Sequence, residues 1–345
     1  MKYVLVRCRL GMLLIVLACM AGCRSGNRKP PDVSGIPMQV HIDRFDREFM
    51  ALDSMHVSAG LSDLYARYRT FLPVYLEHIL NFGPYEDTSQ LQAAEIRNFI
   101  TARDIRQLQD TVNAHFPNMD DVAAQLRQGF RYIKYYFPQF RPPRVVTFIS
   151  GLANYGAITA DSVLGIGLDM FLGPEFAPYG QVADPYPGYM LYQFTKPYIA
   201  ADCFKVIQQE MFPMPAGGTL LDQMIARGKQ LYFLDRVMPD TPDSLKAGFT
   251  GTQLSWCQDN AQAIWQYFIQ GNLLYIHDMQ RIMHYIGPGP GTQGMPAPAP
   301  GDIGSWVGWQ IVRKYMEEHP ETTLEMLMSL RDSQALLSES RYRPH

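Results

Sequence analysis

Long apolar runs are missing once the N-terminus is passed. Beyond it no stretch of this 345-residue chain offers about 18 uninterrupted apolar residues, so no later segment is expected to cross a bilayer as a helix. Charge is scarce as well: charged residues make up 18%, with 30 Lys and Arg against 33 Asp and Glu and a net charge of −3. A nucleic-acid binder needs a cationic footprint to neutralise phosphates, and that class is excluded. The GxxxxGK[ST] phosphate loop and the G-x-S-x-G nucleophile elbow are both absent, and Gly165-Ile-Gly167 lacks the rest of a dinucleotide fingerprint. No two of the eight histidines (His41, His56, His78, His115, His277, His284, His319, His345) are four apart, so the chain contains no HExxH zinc motif. His277 and His284 are seven apart, about 10.5 Å of helical rise and too far to share one zinc. His78, between Glu77 and apolar residues, reads as a half-buried helix histidine. What is plentiful is apolar: 47% hydrophobic and 12% aromatic. That excludes a disordered chain and suffices for one large domain or two small ones.

The N-terminus reads as an address. Met1 to Arg9 is basic, Leu10 to Ala18 is an apolar core of secretory-signal length, and Met20-Ala21-Gly22-Cys23 resembles a bacterial lipoprotein cleavage box. The expectation is a signal over 1–22, a lipidated Cys23, a tether over 23–40 and a single globular domain over 41–345. Cys19 is a weaker competing site, because Leu17 is bulky beside a small-residue cleavage point. Acyl chains on Cys23 would hold the protein on a membrane without spanning it, at about 0.8 kcal/mol per buried methylene. Ser25 to Pro37 has little to pack and could reach roughly 40 Å at about 3.3 Å per residue. Loss of Lys2, Arg7 and Arg9 with the signal would take the net charge from −3 to −6. Cys8 and Cys19 would leave with it. Cys203 and Cys257 then remain, and one disulfide and two separate buried thiols are both open readings.

The periodicity predicts an α+β fold, mostly helical, with one small antiparallel sheet. Residues 41–140 read as helical, with Pro73 inside the Leu61–Leu80 pattern predicting a kink or break. A helix starting near Asn118 buries Val122, Leu126, Phe130, Ile133 and Phe137 and stops at Pro138. The sheet falls in 145–170: Val145 to Ile149 is β-branched and aromatic, and Ala157–Ala160 with Val163–Leu168 reads as a hairpin closed by Asp161-Ser162. Helices return over 195–340. Thr219 with Asp222, and Thr322 with Glu325, have capping-box spacing; Trp256 to Phe268 and Ser305 to Glu318 form further helices. Gly287 to Gly301 is low-complexity, read as a long surface loop or as a lid over a ligand.

Isolated polar residues in apolar surroundings are the pocket candidates. Asp169 interrupts an apolar run, and Asp202 and Lys205, three apart, share a helix face. A cap, an ion pair or a structural hydrogen bond accounts for each equally simply.

Several stretches together resemble the Bacteroidetes gliding-motility lipoprotein GldB family. They are Arg44-Phe-Asp-Arg-Glu-Phe49, Ile166-Gly-Leu-Asp-Met-Phe-Leu-Gly173, Thr219-Leu-Leu-Asp-Gln-Met-Ile225 and Gly228-Lys-Gln-Leu-Tyr-Phe-Leu234. Met238-Pro-Asp-Thr-Pro-Asp-Ser244 and Ile303-Gly-Ser-Trp-Val-Gly-Trp-Gln-Ile-Val-Arg313 complete the set. The resemblance implies a cell-envelope lipoprotein of gliding motility and the associated surface-protein secretion. Its partners would be a membrane, through the anchor, and other envelope proteins; it carries no catalytic residue, metal or cofactor. The absence of an acidic cluster after Cys23 points to a periplasm-facing position. More distantly the layout is similar to a predicted zinc-peptidase family. Tyr198 to Gln208 would then occupy the metal helix and Ala226-Arg227-Gly228 the third-ligand position, with Arg227 where a Glu is expected. The expectation is a non-catalytic protein on a scaffold that has lost its metal. A hydrolase using Asp169, Asp202 or Lys205, and a peptide- or glycan-binding module, are the alternatives.

Overall fold

The computed structural model describes residues 29–85, 90–214 and 216–344. The expected signal and Cys23 lie outside them. Residues Val33–His345 form one compact unit, so packing begins at Val33 rather than His41. Val33 is buried, and the Ile36 carbonyl accepts from Arg131 Nε at 3.1 Å.

Among the described residues about 57% are helical, with one small four-stranded sheet, the α+β fold predicted. The strands are β1 (Ile42–Asp43), β2 (Arg144–Phe148), β3 (Ala157–Ala160) and β4 (Val163–Gly167), in the order β1-β2-β4-β3. The β3–β4 hairpin pairs antiparallel with Ala160 opposite Val163, and its turn puts Asp161 at φ 49°. The sheet as a whole is mixed, not antiparallel, because β4 runs parallel to β2 and β2 parallel to β1. Local alternation and turn chemistry fix the hairpin; the parallel neighbours are non-local pairings that no short-range pattern encodes. Central β4 is buried along its length. A Cβ on its Gly167 would lie 1.8 Å from the Tyr155 carbonyl oxygen, so the Gly165-Ile-Gly167 pair serves backbone packing.

Six helices position the polar clusters described below: α1 (Phe45–Met50), which packs on β2, α2 (Arg103–His115), α3 (Asp120–Tyr136), α4 (Ile199–Met211), which packs on β3 and β4, α5 (Leu220–Val237) and α6 (Ile303–Glu318). The stripe of α3 is buried as its spacing predicts, from Val122 through Phe130 to Ile133. At Pro73 a short α-turn, Phe71–Val74, passes into a π-helical turn, Tyr75–Ile79, where Leu80 N donates to Tyr75 O. A widened turn is a usual answer to an interrupted helical ladder. Helix α5 opens with the expected box: Asp222 N donates to Thr219 Oγ1 at 3.2 Å, and Thr219 N to Asp222 Oδ2 at 2.8 Å. The later helix is capped one residue beyond expectation, by Thr323, whose Oγ1 accepts from Met326 N. Asn260 divides the expected Trp256–Phe268 helix into Gly251–Asp259 and Ala261–Gln270.

Buried apolar faces on α5 lie nearly all round it, and α5 packs most extensively against α6. The two backbones touch: a Cβ on Gly308 would sit 1.8 Å from the Met224 carbonyl oxygen, and one on Gly228 2.3 Å from the Gly308 carbonyl. The Gly287–Gly301 segment is anchored to the body, with Thr292 and Ala299 buried and the Gln293 carbonyl accepting from Tyr267 OH at 3.0 Å.

Candidate functional site

Of the four pocket candidates, the structure separates Asp169 from the others. Asp169 follows β4 in a 3-10 turn and is fully buried. Its Oδ2 accepts from Ser150 N at 2.9 Å, Ser150 Oγ at 3.0 Å and Leu152 N at 2.8 Å, while Oδ1 is buried without a partner. Burial pushes its pKa up, and those three hydrogen bonds pull against the rise. The loop it holds contains Gly151, Leu152 and Asn154 at φ 71°, 66° and 64°. Non-glycine residues in that region cost energy and persist only when the surroundings fix them. Asp169 is the fastener of this strained loop, and its polar contacts give it no open face for a substrate.

Asp202, Lys205 and Arg227 do converge. Asp202 and Lys205 lie on one face of α4, with Lys205 Nζ 3.2 Å from Asp202 Oδ1, and both remain partly exposed. Helix α4 packs beside β3 and against α5, which carries Arg227 on its second turn. The fourth member is Asp302, the N-cap residue of α6, held in the left-handed region at φ 58° and ψ 26°. Ser305 Oγ donates to Asp302 Oδ1 in a short hydrogen bond. Burial drives the Asp302 carboxyl up to about 7, against the pull of the Ser305 hydroxyl and the Arg227 and Lys205 charges. Arg227 makes no ion pair among the described residues, and its Nε is buried without an acceptor.

The site therefore consists of two cations and two carboxylates on three helices. Its donor set does not suit zinc. Ammonium and guanidinium groups offer no lone pair, and zinc sites are built from thiolate, imidazole and carboxylate. No group of three or more His, Cys, Asp or Glu able to hold a metal occurs among the described residues. What this arrangement can do is accept an anion at Arg227 and Lys205, with Asp302 able to donate a proton when neutral. Asp302 escapes sequence reasoning because it follows a low-complexity loop. The one available signal is Asp302-Ile-Gly-Ser305, an acidic residue at a helix start.

Two further networks account for motif residues that would otherwise invite functional readings. Asp46 is buried, and it accepts from Arg44 Nε at 2.9 Å, Arg44 Nη2 at 2.8 Å and Gln109 Nε2 at 2.8 Å, with Thr147 Oγ1 closing the set. It ties α1 to α2 and β2. Burial opposes ionisation, but Arg44 and these donors hold its carboxyl below the usual range. At the other end Asp235 of α5 accepts from Trp309 Nε1 at 2.8 Å and pairs with Lys246 at 3.0 Å and Arg313 at 2.7 Å. Asp243 joins the network through Arg313 at 2.8 Å and Lys246 at 3.3 Å. Met238–Ser244 and Ile303–Arg313 are thus one clamp rather than two motifs.

These features define the class: a helix-rich α+β domain fastened by buried ion-pair clamps, with a cluster of two cations and two carboxylates between its helices. The chain belongs to the gliding motility protein GldB family, whose profile matches residues 26–344. It is accordingly a gliding-motility-related lipoprotein. No curated protein and no solved structure matches it.

Proposed function

We propose that the protein is anchored by lipid on Cys23, faces the periplasm, and serves gliding and surface-protein secretion through contacts with other envelope proteins, without catalysis. The observation that carries this reading is the family match, which spans nearly all the chain after the signal. The donor chemistry around Arg227 supports it, since cations stand where a hydrolase would need metal ligands. The clamps at Asp46 and Asp235 support a rigid scaffold suited to holding partners.

Deleting the gene and scoring both spreading on agar and surface-protein secretion tests the role; normal behaviour in both assays would sink it. Cys23→Ala tests the anchor, with loss of the protein from the membrane fraction as the expected result.

A second reading, a peptide- or glycan-binding module or a peptidase-like hydrolase on a scaffold that has lost its metal, is favoured by the Arg227 Nε left without an acceptor. Stoichiometric zinc in the purified protein would move the balance to a hydrolase. Protection of the 287–301 loop from protease by an envelope extract would move it to a binding module.

A further inference from the structure

Apart from the charged cluster, a groove of about 330 Å³ runs between the C-terminal end of α4, the first turns of α5 and the 328–333 segment. That size is at the lower end of small-ligand sites, about 300–1,000 Å³. Its walls combine Phe212, Ile225, Met328 and Leu330 with Gln208, Lys229 and Arg331. Two cations among these lack a carboxylate partner among the described residues, and one amide oxygen lacks a donor.

Lys229 is half-buried and gives one hydrogen bond, to the Leu330 carbonyl, with no carboxylate partner among the described residues. Burial, and then the charge of Arg331, lower its pKa to about 8. Arg331, which is exposed, has no ion pair among the described residues either. The carboxylate that also lines the groove, Asp222, is committed elsewhere: it accepts from Thr219 N at 2.8 Å and Thr219 Oγ1 at 2.7 Å and bonds to Ser333. Gln208, 3% exposed, has its Oε1 buried with no donor, and its Nε2 meets only the Met328 sulfur at 4.0 Å.

Two like charges beside one half-apolar groove, neither paired with a carboxylate among the described residues, favour an anion between them. A buried amide oxygen without a donor is stabilised by an N–H. One ligand class supplies both beside an apolar body. We propose that this groove binds the C-terminal end of a peptide with an apolar last residue: carboxylate on Lys229 and Arg331, amide N–H on Gln208 Oε1, and the side chain against Phe212, Ile225 and Met328. A fatty carboxylate would satisfy the cations and leave Gln208 unpaired, and a capped peptide would do the reverse.

Calorimetric titration of the full chain with N-acetyl-alanyl-leucine, its C-terminal amide and octanoate tests this. The acid is expected to bind at least about tenfold more tightly than either of the others. Arg331→Gln, at an exposed position that cannot unfold the chain, and Lys229→Met are each expected to weaken the acid by about tenfold while leaving the amide unchanged. Absence of binding by the acid, equal affinity for acid and amide, or indifference to both substitutions would overturn the proposal. Octanoate binding as tightly as the acid would overturn the peptide assignment.

Discussion

Arg313 grips Asp235 with two parallel hydrogen bonds, Nε to Oδ2 at 2.7 Å and Nη2 to Oδ1 at 2.8 Å, while its guanidinium lies 3.7 Å from the centre of the Trp309 ring. The fork fastens α5 to α6 on the turn after their glycine contact. Lys246, 3% exposed, is the second cation served by the same carboxylate.

Removing Asp235 should cost more than the pair is worth, because two cations would stay behind with only Asp243 to neutralise them. Asp235→Ala is expected to lower unfolding stability by about 3–5 kcal/mol, the range for orphaning a buried charge. Arg313→Lys should lose the fork and the stacking but keep the charge, and so cost less. Urea unfolding of both variants checks this. A loss below about 1 kcal/mol for Asp235→Ala would mean that the clamp is dispensable.

The α5–α6 contact makes a sharper steric prediction. A methyl group on Gly308 would be placed 1.8 Å from the Met224 carbonyl oxygen, and backbone cannot rotate aside as a side chain does. Gly308→Ala should therefore force the helices apart and cost about 3 kcal/mol or more, above the usual range for overpacking. Gly35→Ala, with nothing near its added carbon, is the control and should be close to neutral. Thermal melts of the two variants differing by only a degree or two would refute the close crossing.

Those glycines show where the sequence was legible and where it was not. Short-range signals, such as the four- and three-residue steps of α3, the Thr219–Asp222 box and the β3–β4 hairpin, are written in residues that touch one another, and they survive into the fold. The parallel pairing of β2 with β1, the Gly308–Met224 contact and the approach of Arg227 to Asp302 join residues dozens of positions apart, and β2 meets β4 across 19. No local period records such pairs. Asp202 and Lys205 were found because three residues is also a spatial neighbour on a helix. Asp169 was singled out for the right reason, burial of a charge, but it serves a strained loop instead of a cleft. Asn118, read as the start of α3, lies just ahead of it: its Oδ1 accepts from Asp120 N at 3.3 Å, and Asp120 is the first helical residue.

Cys203 and Cys257 resolve to two free, buried thiols. Burial pushes the Cys203 thiol well above its ordinary value and that of Cys257 up to about 12, so neither is a thiolate near neutral pH. Both should resist a thiol-specific reagent in the folded protein at mildly alkaline pH and react together once the chain unfolds in denaturant. Rapid labelling of either under native conditions, or failure to label after unfolding without reductant, would contradict this arrangement.

Asp302 supplies the clearest pH signature. Its folded value, about 7, lies above the ordinary 3.8, so between the two the folded protein holds a proton that the unfolded chain has released. Stability supported by that proton is present at acid pH, declines as pH rises through the window, and is fully lost above about 7. Asp302→Asn removes the titration while keeping an acceptor for Ser305. It also suits the left-handed backbone at φ 58°, which asparagine tolerates better than most residues. The variant should match the wild type at about pH 4 and become progressively more stable than it toward about pH 8. Because Asp46 and Asp169 titrate identically in both proteins, the difference between their urea-unfolding profiles isolates Asp302. Profiles that run parallel over this range would show that the carboxyl is already ionised in the fold, leaving Arg227 neutralised by Asp302 and removing the case for anion binding at Arg227.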